Sequence, residues 1–226
     1  MAKKNVNHNP ENNQAVGEAV SGLEQFLKKN GNLLSTIVLV ILIAVCAILA
    51  LNRWVLKPAQ QEARAAAAGA DRYFEAAAYE QALNGDGNVL GFSQIIDDFG
   101  GKAGKDVYFY AGVCELQIGN YQQAIDYLKK YKGTESILKA RAIGCMGDAY
   151  TGLENYKEAL RCFDAAAAVA DNMFAATYML KAGVVCEQLG DNGKALTYYK
   201  TIKDKYPQSM EGYDIDKYIS RIESQK

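Results

Sequence analysis

Three stretches decide the fold: Ala111–Leu128 (AGVCELQIGNYQQAIDYL), Met146–Phe163 (MGDAYTGLENYKEALRCF) and Ala182–Tyr199 (AGVVCEQLGDNGKALTYY). Aligned on Ala124, Ala159 and Ala195, they repeat at spacings of 35 and 36 residues. Twelve residues before each alanine stands Gly112, Gly147 or Gly183; four residues after it stands Leu128, Phe163 or Tyr199. Between the small residues come Gly119-Asn120-Tyr121, Glu154-Asn155-Tyr156 and Gly190-Asp191-Asn192, which stop one helix and cap the next. Each unit therefore predicts two helices crossing at glycine and alanine. A larger side chain at the crossing would force the helices apart, and the leucine or aromatic fills the space against the next unit. The expected helices are 105–118 and 121–132, 138–152 and 156–169, and 173–189 and 192–205. One such hairpin cannot bury its apolar face alone, so the units must stack.

These units resemble the tetratricopeptide repeat (TPR), a helix–turn–helix unit with a period of about 34 residues. Tyr206-Pro207 closes the third unit where such repeats often carry proline. The departures are specific. Glu115 and Cys186 stand where an aromatic is usual, whereas Tyr150 conforms; Tyr131 and Ile202 replace a usual alanine, whereas Ala166 conforms. A last segment, 211–224, with Tyr213, Tyr218, Ile219 and Ile222 among many charges, reads as the cap of a solenoid. Ahead of the clear repeats, Ala59–Leu83 and Val89–Phe99 read as a degenerate fourth unit, with Ala76, Tyr79, Phe92 and Ile95 in its pattern. The fold class is all-α: a single N-terminal transmembrane helix, then a TPR α-solenoid of three clear repeats, a degenerate N-terminal repeat and a C-terminal capping helix.

The anchor is read from Gly31–Asn52, which carries no charge, and from Ile37–Leu51, which is wholly apolar. About 20 such residues span a bilayer as a helix. Trp54 follows at the interfacial position, and Pro58 begins the next helix. A signal peptide has a shorter leader and a small-residue cleavage site, which Leu51-Asn52-Arg53-Trp54 does not supply. The basic flanks tie, Lys28 and Lys29 against Arg53 and Lys57, so charge does not orient the span. Residues 1–14 are Asn-rich and read as disordered. From Ala15 to Lys29, Val16, Val20, Leu23 and Leu27, with Phe26, form one apolar stripe. It marks either a helix lying on a membrane or partner, or one weakly formed and continuous with the span. The chain thus divides into tail and amphipathic helix (1–30), transmembrane helix (31–54), linker helix and degenerate repeat (55–104), three repeats (105–207) and cap (208–226).

Composition excludes several functions. With Lys+Arg 25 against Asp+Glu 26, the chain lacks the basic footprint of a nucleic-acid binder. Only 3 prolines in 226 residues suit a largely helical chain. Of 5 cysteines, Cys46 lies in the apolar run; Cys114, Cys145, Cys162 and Cys186 lie in the repeats, either as free buried thiols or in one of three disulfide pairings. His8 is the one histidine and no CxxC occurs, so no zinc site is expected. Gly100-Gly101-Lys102-Ala103-Gly104-Lys105 has the wrong spacing for a phosphate loop and reads as a flexible link. Asp97-Asp98 and the Asp214/Asp216 pair lack converging ligands and read as solvated faces. No catalytic residue, cofactor or metal is expected, and the chain reads as a binding protein, not an enzyme.

In TPR arrays the first helix of each unit lines a binding groove. The repeat register assigns to that face Phe109, Val113 and Leu116, then Arg141, Gly144 and Asp148, then Leu180, Val184 and Glu187. Some TPR domains clamp a peptide carboxylate with Lys and Asn; Phe109 and Val113 hold the first-unit positions here, so an apolar or extended segment is the expected ligand. Some of these side chains could instead simply pack against neighbouring helices.

The order of parts, with Phe26-Leu27-Lys28-Lys29-Asn30-Gly31 leading into the apolar run and Arg53-Trp54 closing it, resembles the ancillary SecYEG translocon subunit family (YfgM-like) of bacteria. The resemblance implies a bacterial inner-membrane protein with a cytoplasmic N-terminus and a periplasmic TPR domain. Its implied partners are the SecYEG translocon, a periplasmic chaperone or prolyl isomerase, and exported polypeptides. The alternative is an assembly scaffold for another envelope or division complex.

Overall fold

A computed structural model describes residues 10–170 and 172–224, with side chains from Lys29 onward. The chain forms two compact bodies, Met1–Pro58 and Ala59–Lys226.

The first body is dominated by α1 (Pro10–Leu51). Proline suits a first helical position because its missing N–H would have had no partner there. Residues 10–14, expected to be disordered, belong to this helix, while residues 1–9 lie outside the described residues. The leader runs without a break into the apolar stretch; its stripe side chains (Val16, Val20, Leu23, Phe26 and Leu27) lie outside the described side chains. Ser35 and Thr36 donate their hydroxyls to the Asn32 carbonyl, at 2.9 and 2.8 Å, which satisfies them within the helix. Ile37–Leu51 keeps its large apolar side chains exposed, and none of its most hydropathic window is buried by the protein. Such a surface is unfavourable in water. The helix is long and apolar enough to cross a bilayer. It passes into a π-helical turn, Asn52–Leu56, carrying Arg53 and an exposed Trp54.

The second body is a stack of helical hairpins. First helices α5 (Lys105–Gln117), α7 (Ser136–Gly152) and α9 (Ala175–Gln188) pair with second helices α6 (Tyr121–Lys130), α8 (Tyr156–Ala170) and α10 (Asn192–Lys205). The small residues at each crossing have a direct cause. A Cβ on Gly112 would lie 2.6 Å from Leu128, on Gly147 2.5 Å from Phe163, and on Gly183 2.3 Å from Tyr199. The large residue thus sits over its own unit's glycine. It also reaches the next unit, Leu128 clustering with Ala142 and Phe163 with Ala182 and Val185. Ala124, Ala159 and Ala195 are fully buried in the same crossings.

Ahead of these stands the degenerate unit: α2 (Lys57–Glu75), α3 (Tyr79–Asn84) and α4 (Phe92–Phe99). Its turn repeats that of the others. Ala77, Gly119, Glu154 and Gly190 all adopt positive φ, at 56°, 86°, 56° and 76°. In each case the next N–H reaches back five residues: Ala78 to Tyr73, Asn120 to Glu115, Asn155 to Tyr150, Asp191 to Cys186, at 2.8–2.9 Å. This is the Schellman arrangement that satisfies the last carbonyls of a helix. Ala77 precedes Gly119 by 42 residues, seven more than separate Gly119 from Glu154, and residues 85–91 form a seven-residue loop that splits the second helix. Asp86 holds that loop, accepting from the amides of Asn88 and Val89 and from the Tyr73 hydroxyl. In this register Ala70 and Ala82, both fully buried, take the places of Gly112 and Ala124. Ala76, expected within the pattern, is instead exposed at the turn; Phe92 and Ile95 are core and Tyr79 packs on them.

The caps differ from unit to unit. The Asp191 side chain accepts from the Lys194 amide at 2.9 Å, as an N-cap should. Asn120 does not cap α6; its side-chain amide donates to the buried Glu115 carboxylate at 2.8 Å. Glu115 fills an aromatic's place, and a buried carboxylate needs a donor. The glycine-rich segment expected as a flexible link forms a 3-10 turn, Gly100–Ala103, with Ala103 buried. The cap α11 (Met210–Glu223) lays Ile215, Ile219 and Ile222 on α9 and α10, the position of a further first helix. Its Ser209 hydroxyl accepts from the Gly212 amide at 3.0 Å.

A candidate polypeptide-binding groove

The first helices α5, α7 and α9 line an open cavity of about 500 Å³. Val113, Leu116 and Gln117 come from α5; Ile137, Ala140, Arg141, Gly144, Cys145 and Asp148 from α7; Thr177, Tyr178 and Lys181 from α9. Ala170, Asn172 and Phe174 close one end. Its floor is built by contact between units: the Tyr178 ring lies over Gly144, where a Cβ would come within 2.3 Å. Lys181 crosses from α9 to Asp148 on α7, with both oxygens at 2.7–2.8 Å. Ile137 and Phe174 are 61% and 55% exposed, so the rim offers apolar surface to a ligand.

The structure brings together Val113, Leu116, Arg141, Gly144 and Asp148 from the expected set. It places the others elsewhere. Phe109 is 2% exposed and packs with Leu128, Tyr131 and Ala142 in the core. The groove seam of α5 runs instead through Tyr110, Val113 and Leu116, in steps of three residues. Leu180 packs against the C-terminal cluster, and Glu187 accepts from the Tyr199 hydroxyl and pairs with Arg221 of α11 at 2.6 Å. Both are engaged because α11 occupies the place of a next repeat. Val184 is exposed but lies outside the cavity lining. Ile137, Phe174, Thr177, Tyr178 and Lys181 were not singled out by sequence; adding one period to Arg141 and Cys145 leads to Thr177 and Lys181.

Burial, with Asp148 nearby, pushes the Cys145 thiol up to about 11, so it stays protonated at neutral pH. Burial likewise raises Tyr178. The other repeat cysteines are free thiols, and burial pushes Cys114 up to about 12 and Cys186 to about 11. Among the described residues no cluster of His, Cys, Asp or Glu could hold a metal ion. Asp214 and Asp216 each pair with a lysine, Lys217 and Lys203, at 2.7 Å.

Comparison with known proteins agrees with this architecture. Residues 138–207 match a tetratricopeptide-repeat family model, and residues 106–133 match a second one. Two crystal structures of MamA resemble the chain, with TM-scores of 0.52 and 0.51 at 18% identity. Both cover 69% of this chain, and 93% and 82% of their own. At that identity the likeness concerns the fold. No curated protein matches the chain in sequence. The repeats are tetratricopeptide repeats, and such arrays are protein–protein interaction scaffolds.

Proposed function

We propose that the chain is a membrane-anchored TPR scaffold that serves the Sec translocon as an accessory subunit, aiding exported polypeptides or recruiting a periplasmic chaperone or prolyl isomerase. The observation that carries the binding role is the groove between α5, α7 and α9, with apolar residues exposed on its rim. The anchoring role is supported by α1, whose apolar side chains no part of the described protein covers. The proposed placement is in the bacterial inner membrane, N-terminus cytoplasmic and repeats periplasmic. It rests on the resemblance in layout to the ancillary translocon subunits.

The full chain, extracted in mild detergent, should co-purify with Sec subunits or a periplasmic folding factor. Recovery of envelope-assembly or division proteins instead would move the reading to a scaffold of those complexes. A reporter fused after Lys226 should be active only outside the cytoplasm; activity inside would remove the export role and leave the groove untouched.

A further inference from the structure

A second cavity, of about 560 Å³, lies between α2, the start of α5 and the segment that precedes α7. Its charged lining comes from three elements: Arg64 and Asp71 on α2, Lys105 and Asp106 at the start of α5, and Glu135 just before α7. Tyr110 and Tyr131 supply its aromatic walls. Three carboxylates thus face two cations, and among the described residues none of the five is in an ion pair. Tyr131 is only 7% exposed, and its hydroxyl has no hydrogen-bond partner among the described residues. A buried hydroxyl without a partner is costly, and an occupant's polar group can supply one.

The electrostatics favour a cation here. Desolvation and the neighbouring Glu75 push the Asp71 carboxyl above its usual range, so its charged form lacks compensation. Burial, with Asp71 and Asp106 nearby, raises the Tyr110 hydroxyl, and burial, with Asp106 and Glu135 nearby, raises that of Tyr131, so the three carboxylates lie around the two phenols. Tyrosine faces also attract ammonium and guanidinium groups.

The two cavities share a seam. Val107 and Tyr110 line this one, and Val113 and Leu116 the other, all on α5. Arg141, in the lining of the apolar cavity, is close enough to act on Tyr110 as well as on Cys145 and Tyr178. The α5 lining residues are centred about eight positions apart, or roughly 12 Å along the helix. About four residues of extended chain cover that distance.

We infer that the groove takes an extended polypeptide segment carrying an apolar side chain and, about four residues away, a lysine or arginine: the apolar side chain seats at the Leu116 end of the apolar cavity, and the basic one enters the cavity of Asp71, Asp106 and Glu135. This deepens the polypeptide-binding role proposed above and rests on it.

The test uses the full chain in detergent micelles and fluorescent synthetic peptides of Gly and Ser. The peptides carry Leu and Lys four residues apart, Leu and Glu at that spacing, or Leu and Lys adjacent, and binding is read by anisotropy. The spaced Leu/Lys peptide should bind at least about tenfold more tightly than either of the others, tenfold corresponding to about 1.4 kcal/mol. Asp71→Asn with Glu135→Gln should erase that preference, with unchanged helical circular dichroism. Glu135→Lys should reverse it in favour of the Leu/Glu peptide. Equal affinity for the three peptides, abolished by Ile137→Asp, would overturn the charge selection and leave the groove in place. No binding of any peptide would overturn both.

Discussion

The leading unit and the second clear repeat solve the same packing problem with different residues. In α7 and α8 a glycine, Gly147, admits Phe163 from the partner helix, and the second helix is continuous. In α2–α4 both crossing residues are alanines, Ala70 and Ala82, and the second helix is split by residues 85–91. Phe92, beyond the loop, joins Phe74, Tyr79 and Tyr110 in an aromatic cluster with ring centroids 5.0–6.3 Å apart. The turn between first and second helices is the same in both, down to the positive φ and the five-residue return bond. The hairpin turn is therefore the invariant of the fold, and the filling of the crossing is what varies.

The largest effect should come from the fillers. Phe163→Ala and Phe92→Ala each remove a fully buried ring and should cost about 3–5 kcal/mol in urea unfolding. A much smaller loss for Phe92 would show that the leading unit is a loosely packed appendage rather than an equivalent repeat. Next come the crossings. Gly183→Ala sets a methyl against Tyr199, and overpacking should cost about 1–3 kcal/mol despite alanine's better helix propensity. Ala70→Gly should cost about 1 kcal/mol for the opposite reason, lost propensity and contact. Unchanged stability in Gly183→Ala would show that Tyr199 can swing away.

Smaller changes belong to the turns. Ala77 and Glu154 hold left-handed backbone that glycine adopts freely, so Ala77→Gly and Glu154→Gly should each raise stability by about 0.5–1 kcal/mol. Gly119→Ala should lower it by a similar amount. The smallest effect is acid loosening of the loop. The Tyr73 hydroxyl and the Val89 and Asn88 amides hold the exposed Asp86 carboxyl below its usual range. A lowered folded-state value means the carboxylate's support is present above the ordinary Asp range and is lost as pH falls through the folded value. The protection factor of the Val89 amide, taken against its intrinsic exchange rate, should fall below about pH 4, and Asp86→Asn should remove that dependence.

Much of this was legible in sequence because it is written in size. Gly112, Gly147 and Gly183 leave room for the Leu128, Phe163 and Tyr199 found four residues beyond the buried alanines, and that spacing survives in any register. The leading unit was harder to place. The seven-residue loop shifts its period to 42, so the pattern of Ala76, Tyr79, Phe92 and Ile95 misses the crossing residues Ala70 and Ala82. The groove was legible in its middle and not at its ends. Phe109 shares a face with Val113 by spacing, but Tyr131 and Leu128 close over it, a contact set by the turn after α6. Leu180 and Glu187 hold groove positions in a continuing array, yet here α11 covers them. Which helix follows the last repeat is a tertiary fact that residues 173–189 do not encode.

Where a polypeptide touches the solenoid decides whether the groove is a binding site. A photoactivatable residue at Phe174, in the groove, can be compared in intact cells with one at Leu153, an exposed residue at the turn between α7 and α8. Covalent adducts to other polypeptides should form from position 174 and be scarce from 153. Equal yields from both, or adducts from 153 alone, would contradict a binding site between α5, α7 and α9.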